Sequence, residues 1–185
     1  GGAGTGGRGR PRRGARIIGL FRSRFFGPES WTLGEYFDDA WKPAANGKGE
    51  WTEPGHHFEW ASLLVDFAEK SGQRDLVGFA RKLYASAIAN GLNRSSGLAY
   101  AAVSRQGLPL ERVSRSWPQA EAIKAAIALD RPDGPDLKPE IEARVGRLFR
   151  WHIDPAPTGL WIDQIDERGR SQAREVPASI FYHLV

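Results

Sequence analysis

Apolar positions recur along the chain at the three-to-four-residue period of amphipathic helices, and Gly and Pro divide them into about six segments. From Ala15 onward, Ile17, Ile18, Leu20, Phe21 and Phe25 keep this spacing until Gly27-Pro28 stops them. After Glu53-Pro54-Gly55, the stretch from His56 to Lys70 places Phe58, Ala61, Leu64, Val65 and Ala68 on one face, and Ser71-Gly72 closes it. A third helix is predicted from Asp75 to Asn90, with Leu76, Phe79, Ala80, Leu83, Ala87 and Ile88 facing inward and Gly91 as its cap. Further helices are predicted near 117–129 and 138–151, and a last apolar run begins at Ala178. Residues 28–54 carry breakers around Leu33, Tyr36 and Phe37, the pattern of a long structured loop or hairpin. No βαβ rhythm appears, so the pattern predicts an all-α fold of stacked helical hairpins.

Composition narrows the picture. The 185 residues are 41% hydrophobic and include seven Trp, far from the signature of disorder, and they suit one domain. No window approaches the ~18 apolar residues of a membrane span, and no apolar signal segment opens the chain. With no Cys, disulfides and thiolate chemistry are excluded. A cytoplasmic enzyme without membrane association is the expectation. The formal charge of +4 is misleading: Arg8, Arg10, Arg12, Arg13 and Arg16 lie within the first sixteen residues, which contain no acid. The remainder is near neutral, so the basicity predicts no nucleic-acid partner. Residues 1–14 are Gly- and Arg-rich without apolar periodicity and are expected to form a disordered tail, leaving 15–185 as the domain.

Four His bring candidate chemistry: His56, His57, His152 and His183. Imidazole titrates nearest neutrality and can both remove and return a proton. His56 follows the Pro-Gly entry to a helix, and Glu59, three residues on, shares its face and could orient it. His57 should diverge from that face, and His152 should serve a helix end. Adjacent His56 and His57 do not give the i, i+3 or i, i+4 spacing of helical metal ligands, so no metal is expected despite nearby Glu53 and Glu59. Trp117, with Pro118 in the first turn of its helix, could stack on a sugar while Gln119 and Glu121 reach hydroxyls; equally, Trp117 could be core and Glu121 a partner of the helix dipole. His183 lies in an apolar segment that suits a buried histidine.

The motifs Glu53-Pro54-Gly55-His56-His57-Phe58-Glu59-Trp60, Arg115-Ser116-Trp117-Pro118-Gln119-Ala120-Glu121-Ala122 and Pro177-Ala178-Ser179-Ile180-Phe181-Tyr182-His183, in this order and spacing, resemble the N-acylglucosamine 2-epimerase superfamily. The resemblance implies an (α/α)6 barrel of about twelve helices, of which 15–185 would be the C-terminal half, a partial barrel. It implies cofactor-independent isomerisation or C2 epimerisation of a small sugar, mannose-type or N-acylglucosamine-type, through an enediol. His56 and His183 would be the acid/base pair, Glu59 would orient His56, and Trp117, Glu121, Gln119 and Glu53 would line the sugar pocket. The residues around Glu59 look more like the mannose-isomerase branch. Two further classes stand beside it. A glycoside hydrolase would use a carboxylate pair such as Glu53 and Glu121 or Asp38-Asp39. A truncated, noncatalytic sugar-binding module would show little turnover alone. Half a ring would expose inner helix faces, which a homodimer could cover.

Overall fold

The computed structural model describes residues 9–172 and 175–184. Helix α1 (Gly9–Leu20) continues through a wide π-turn, Phe21–Phe25, into a two-stranded hairpin, β1 (Phe26–Gly27) with β2 (Thr32–Leu33). The helix thus begins six residues before Ala15, inside the stretch expected to be a tail; residues 1–8 of that stretch lie outside the described residues. The segment between this hairpin and the next helix is irregular and ends in β3 (Trp51–Thr52).

Helices α2 (Pro54–Ser71), α3 (Asp75–Asn90), α4 (Ser116–Leu129), α5 (Lys138–Leu148) and the short α6 (Phe181–Leu184) follow the predicted segments closely. Helix α2 is central, packed against both α3 and α4, while α5 and α6 lean on α4. Pro54 suits the first turn of α2, where no intrahelical partner for its missing N–H is needed. Gly72 ends the helix in a left-handed conformation (φ 75°) and donates its N–H to the Ala68 carbonyl at 2.9 Å.

The core sits between these helices and the α1 end: Phe21, Phe58, Leu64, Leu76, Leu83 and Leu129 are fully buried there. Each such side chain contributes about 1.5–3 kcal/mol relative to exposure. Short strands fix the helix entrances. β3 pairs with β4 (Ala102–Ser104), which pairs with β5 (Pro109–Glu111), and this ribbon leads into the N-terminus of α2. β6 (Ser114–Arg115) pairs with β7 (Gln164–Ile165) and sets the N-terminus of α4. No helix among the described residues is long and apolar enough to cross a membrane.

Candidate active site

The N-termini of α2 and α4 meet at Gly55. A Cβ on Gly55 would lie 2.4 Å from the Trp117 indole, so only glycine permits this approach. Trp117 is buried, and two imidazoles pack on it: His56 with ring centroids 5.2 Å apart, and His183 at 5.1 Å. Residues 127 positions apart in sequence therefore share one indole. The two imidazoles can be no further from each other than those two distances combined.

Each imidazole is held by a carboxylate at Nδ1. His56 Nδ1–H donates to Glu35 Oε2 at 3.0 Å, and the Glu53 backbone N–H donates to the other oxygen of Glu35 at 3.3 Å. The Glu53 carboxylate stands 3.6 Å from the same Nδ1. Burial pushes the His56 pKa down, but the hydrogen bond and charge of Glu35, with the charges of Glu53 and Glu59, outweigh it and the net shift is upward. Burial raises the Glu53 carboxyl; His56 opposes this, and Glu35 and Glu111 add to it. On the other side, His183 Nδ1–H donates to Glu121 Oε1 at 2.7 Å, and Lys124 Nζ donates to the same oxygen at 2.6 Å. A carboxylate on Nδ1 fixes the tautomer and leaves Nε2 as the lone-pair nitrogen. Neither Nε2 has a hydrogen-bond partner among the described residues.

His57 explains how Glu35 arrives. Its Nδ1–H donates to the Glu53 carbonyl at 2.8 Å and its Nε2 accepts the Leu33 N–H at 3.0 Å, tying β2 to the first turn of α2. Burial lowers its pKa to about 4, so it stays neutral and can accept that N–H. Glu35 follows two residues after Leu33. At α4, Ser116 Oγ–H donates to Asp163 Oδ1 at 3.0 Å and Arg115 pairs with Asp163 at 3.1 Å, anchoring the turn that presents Trp117.

Several sequence-based expectations change. The carboxylate bonded to His56 is Glu35, 21 residues upstream, rather than Glu59; Glu59 lies beside His56 in a groove and acts on it through charge. Gln119 does not reach open space: it is buried, its Oε1 accepts the Ala99 N–H, and its amide nitrogen donates to the Ala99 and Arg115 carbonyls. It braces α4 instead of facing a ligand. His152 is buried, with its Nδ1–H donating to the Ile162 carbonyl at 2.7 Å, and holds a loop rather than a helix end. For a hydrolase, the carboxylates are otherwise engaged: Asp38 accepts the Ala40 and Lys42 N–H groups, and Glu121 is committed to His183 and Lys124. Sequence reasoning missed Glu35; its signal was a lone acid inside the otherwise apolar run from Leu33 to Phe37. Glu35, Glu53 and His56 also bring three ligand atoms within 4.8 Å of one another, a spacing that adjacent His56 and His57 alone did not suggest.

The N-acylglucosamine 2-epimerase (GlcNAc 2-epimerase) family profile matches residues 5–185. A mannose-6-phosphate isomerase of Rhizobium meliloti (strain 1021) is 31% identical over 172 residues, covering 91% of this chain and 44% of that protein. A D-mannose isomerase of Pseudomonas cannabina pv. alisalensis is 30% identical over 120 residues, 56% of this chain and 29% of that protein. Among solved structures, a D-mannose isomerase aligns with TM-score 0.78 at 20% identity, covering 94% of this chain and 46% of that one. The cellobiose 2-epimerase of Bacillus thermoamylovorans B4167 aligns with TM-score 0.76 at 18% identity, covering 90% and 42%. The chain spans less than half the length of these relatives, and its fold is a partial (α/α)6 barrel. By this match the chain belongs to the N-acylglucosamine 2-epimerase family.

Proposed function

We propose that the chain carries the acid/base half of a cofactor-independent sugar isomerase or 2-epimerase acting on a mannose-type aldose. The observation that carries this reading is the pair of carboxylate-held imidazoles packed on one indole, Glu35–His56 and Glu121–His183. The names of the relatives, mannose and mannose-6-phosphate isomerases, support the substrate class.

The chemistry follows from the tautomers. In an open-chain aldose the proton on C2 is acidified by the C1 carbonyl, and a neutral Nε2 can remove it while the carbonyl oxygen takes up a proton, giving an enediol. Loss of the O2 proton with delivery of a proton to C1 yields the ketose. Delivery to the opposite face of C2 yields the epimer. Two imidazoles on one indole allow either outcome, and the carboxylate behind each stabilises the imidazolium formed on proton uptake. General acid/base groups of this kind supply about 10²–10⁴-fold each.

Mannose incubated with the protein should give fructose or the C2 epimer, detected by carbon NMR over long incubation. Release of monosaccharide from a glycoside, without interconversion of mannose, would overturn this reading in favour of hydrolysis.

A further inference from the structure

A groove of about 450 Å³ opens beside His56, walled by Phe25, Phe37, Trp41 and Trp60 and carrying the carboxylates of Glu35 and Glu59. Among the described residues no Lys or Arg lines it. Trp41 is its least expected member. It is 45% exposed and adopts φ 61°, a backbone conformation that a bulky residue seldom takes. The loop enforces it: Asp38 Oδ1 accepts the Ala40 and Lys42 N–H groups, the Trp41 N–H donates to the Asp38 carbonyl at 3.0 Å, and Phe37 bridges to Pro43. Phe25 and Phe37 abut the indole at centroid distances of 5.4 and 6.3 Å, yet nearly half of it remains open. Gly or Asn would occupy this position at lower conformational cost. Backbone strain of this kind gathers at ligand-binding positions.

We infer that Trp41 is a substrate-binding residue, a stacking platform for the C–H face of an uncharged sugar whose reacting end lies at His56. The inference rests on the sugar isomerase reading of the same site. An exposed indole offers a flat apolar face to sugar C–H groups, and neighbouring carboxylates accept hydroxyl hydrogens. The same carboxylates, with no Lys or Arg among the described residues lining the groove, repel a phosphate ester. The groove therefore selects the unesterified aldose over its 6-phosphate.

The test compares Trp41→Ala and Trp41→Phe with the unaltered protein, using exchange of the mannose C2 proton with solvent over a range of mannose concentrations. Trp41→Ala is expected to raise KM about fivefold to tenfold with kcat within about twofold, the size of one lost aromatic contact, and Trp41→Phe to restore most of the affinity. Trp41→Gly, favoured by φ 61°, is expected to melt no lower than the unaltered protein while showing the same KM defect, which separates binding from folding. An unchanged KM in Trp41→Ala, or a lower KM for mannose 6-phosphate than for mannose, would overturn the inference and leave the isomerase reading intact. Absence of exchange with either sugar in the unaltered protein would overturn both.

Discussion

His56 keeps 38% of its side chain exposed at the mouth of a groove and is ringed by Glu35, Glu53 and Glu59. His183 is buried against the same indole, with one carboxylate, Glu121, that is itself 2% exposed and neutralised by Lys124. The chemistry at Nδ1 is alike; the surroundings are not. Around His56 several partly solvated charges add up, so its proton affinity is set by a field that salt and pH can alter. Around His183 a single buried carboxylate, Glu121, does the holding, and its removal leaves the buried imidazole without its partner. The exposed dyad is therefore tunable and the buried one brittle.

Breaking either imidazole should have the largest effect. His56→Ala and His183→Ala are each expected to lower C2 proton exchange by about 10³-fold, measured by NMR, because each removes one of the two proposed proton-transfer groups outright. A variant retaining near-normal exchange would remove that histidine from the chemistry.

Next in size is the tether that builds the exposed dyad. His57→Ala strips the buried Leu33 N–H of its acceptor and is expected to destabilise the fold by about 3 kcal/mol in urea denaturation. The unaltered protein should show the same tether through pH. His57 takes up a proton near 6.5 when unfolded and only near 4 when folded, so the unfolded state binds more protons between those values. Stability should be full above pH 6.5 and fall by about 3 kcal/mol as pH drops to about 4, a loss that His57→Ala should lack.

Glu121→Gln then probes the brittle side. It leaves Lys124 without its carboxylate and His183 without an anionic partner, with an expected loss of about 10²-fold in exchange and a lower Tm. Glu35→Gln probes the tunable side and should cost less, about tenfold. Its clearer signature is in pH. With the Glu35 charge gone and only a neutral amide oxygen left to accept the Nδ1–H, burial dominates and the His56 pKa falls, so the acidic limb of the kcat/KM profile should move to lower pH. Equal losses and equal pH shifts in the two variants would erase the contrast between the dyads.

The sequence made one dyad half visible and hid the rest. Helices α2 to α5 were legible because Leu64, Leu76, Leu83 and Leu129 fall at helical spacing and are buried where that spacing puts them. The motifs also singled out His56 and His183, the two imidazoles that pack on Trp117 and that the proposed function uses. Glu35 was not, because it sits in an irregular segment and reaches His56 only through β2 and the His57 tether, a placement that no periodicity encodes. Gln119 misled for the converse reason: its place in a recognisable motif suggested a ligand contact, while the backbone of Ala99 and Arg115 takes up its amide. The start of α1 at Gly9 was hidden by Gly and Pro residues, which give no apolar period to read.

The central proposal is that one sugar carbon exchanges its proton between two carboxylate-held imidazoles. The most direct measurement is deuterium entry at C2 of mannose in heavy water, followed by proton NMR for the protein and its His56→Ala and His183→Ala variants. Label confined to the C1/C2 positions in the unaltered protein, and lost in both variants, is the predicted result. Label that persists in either variant, or mannose left unlabelled by the unaltered protein, would contradict it.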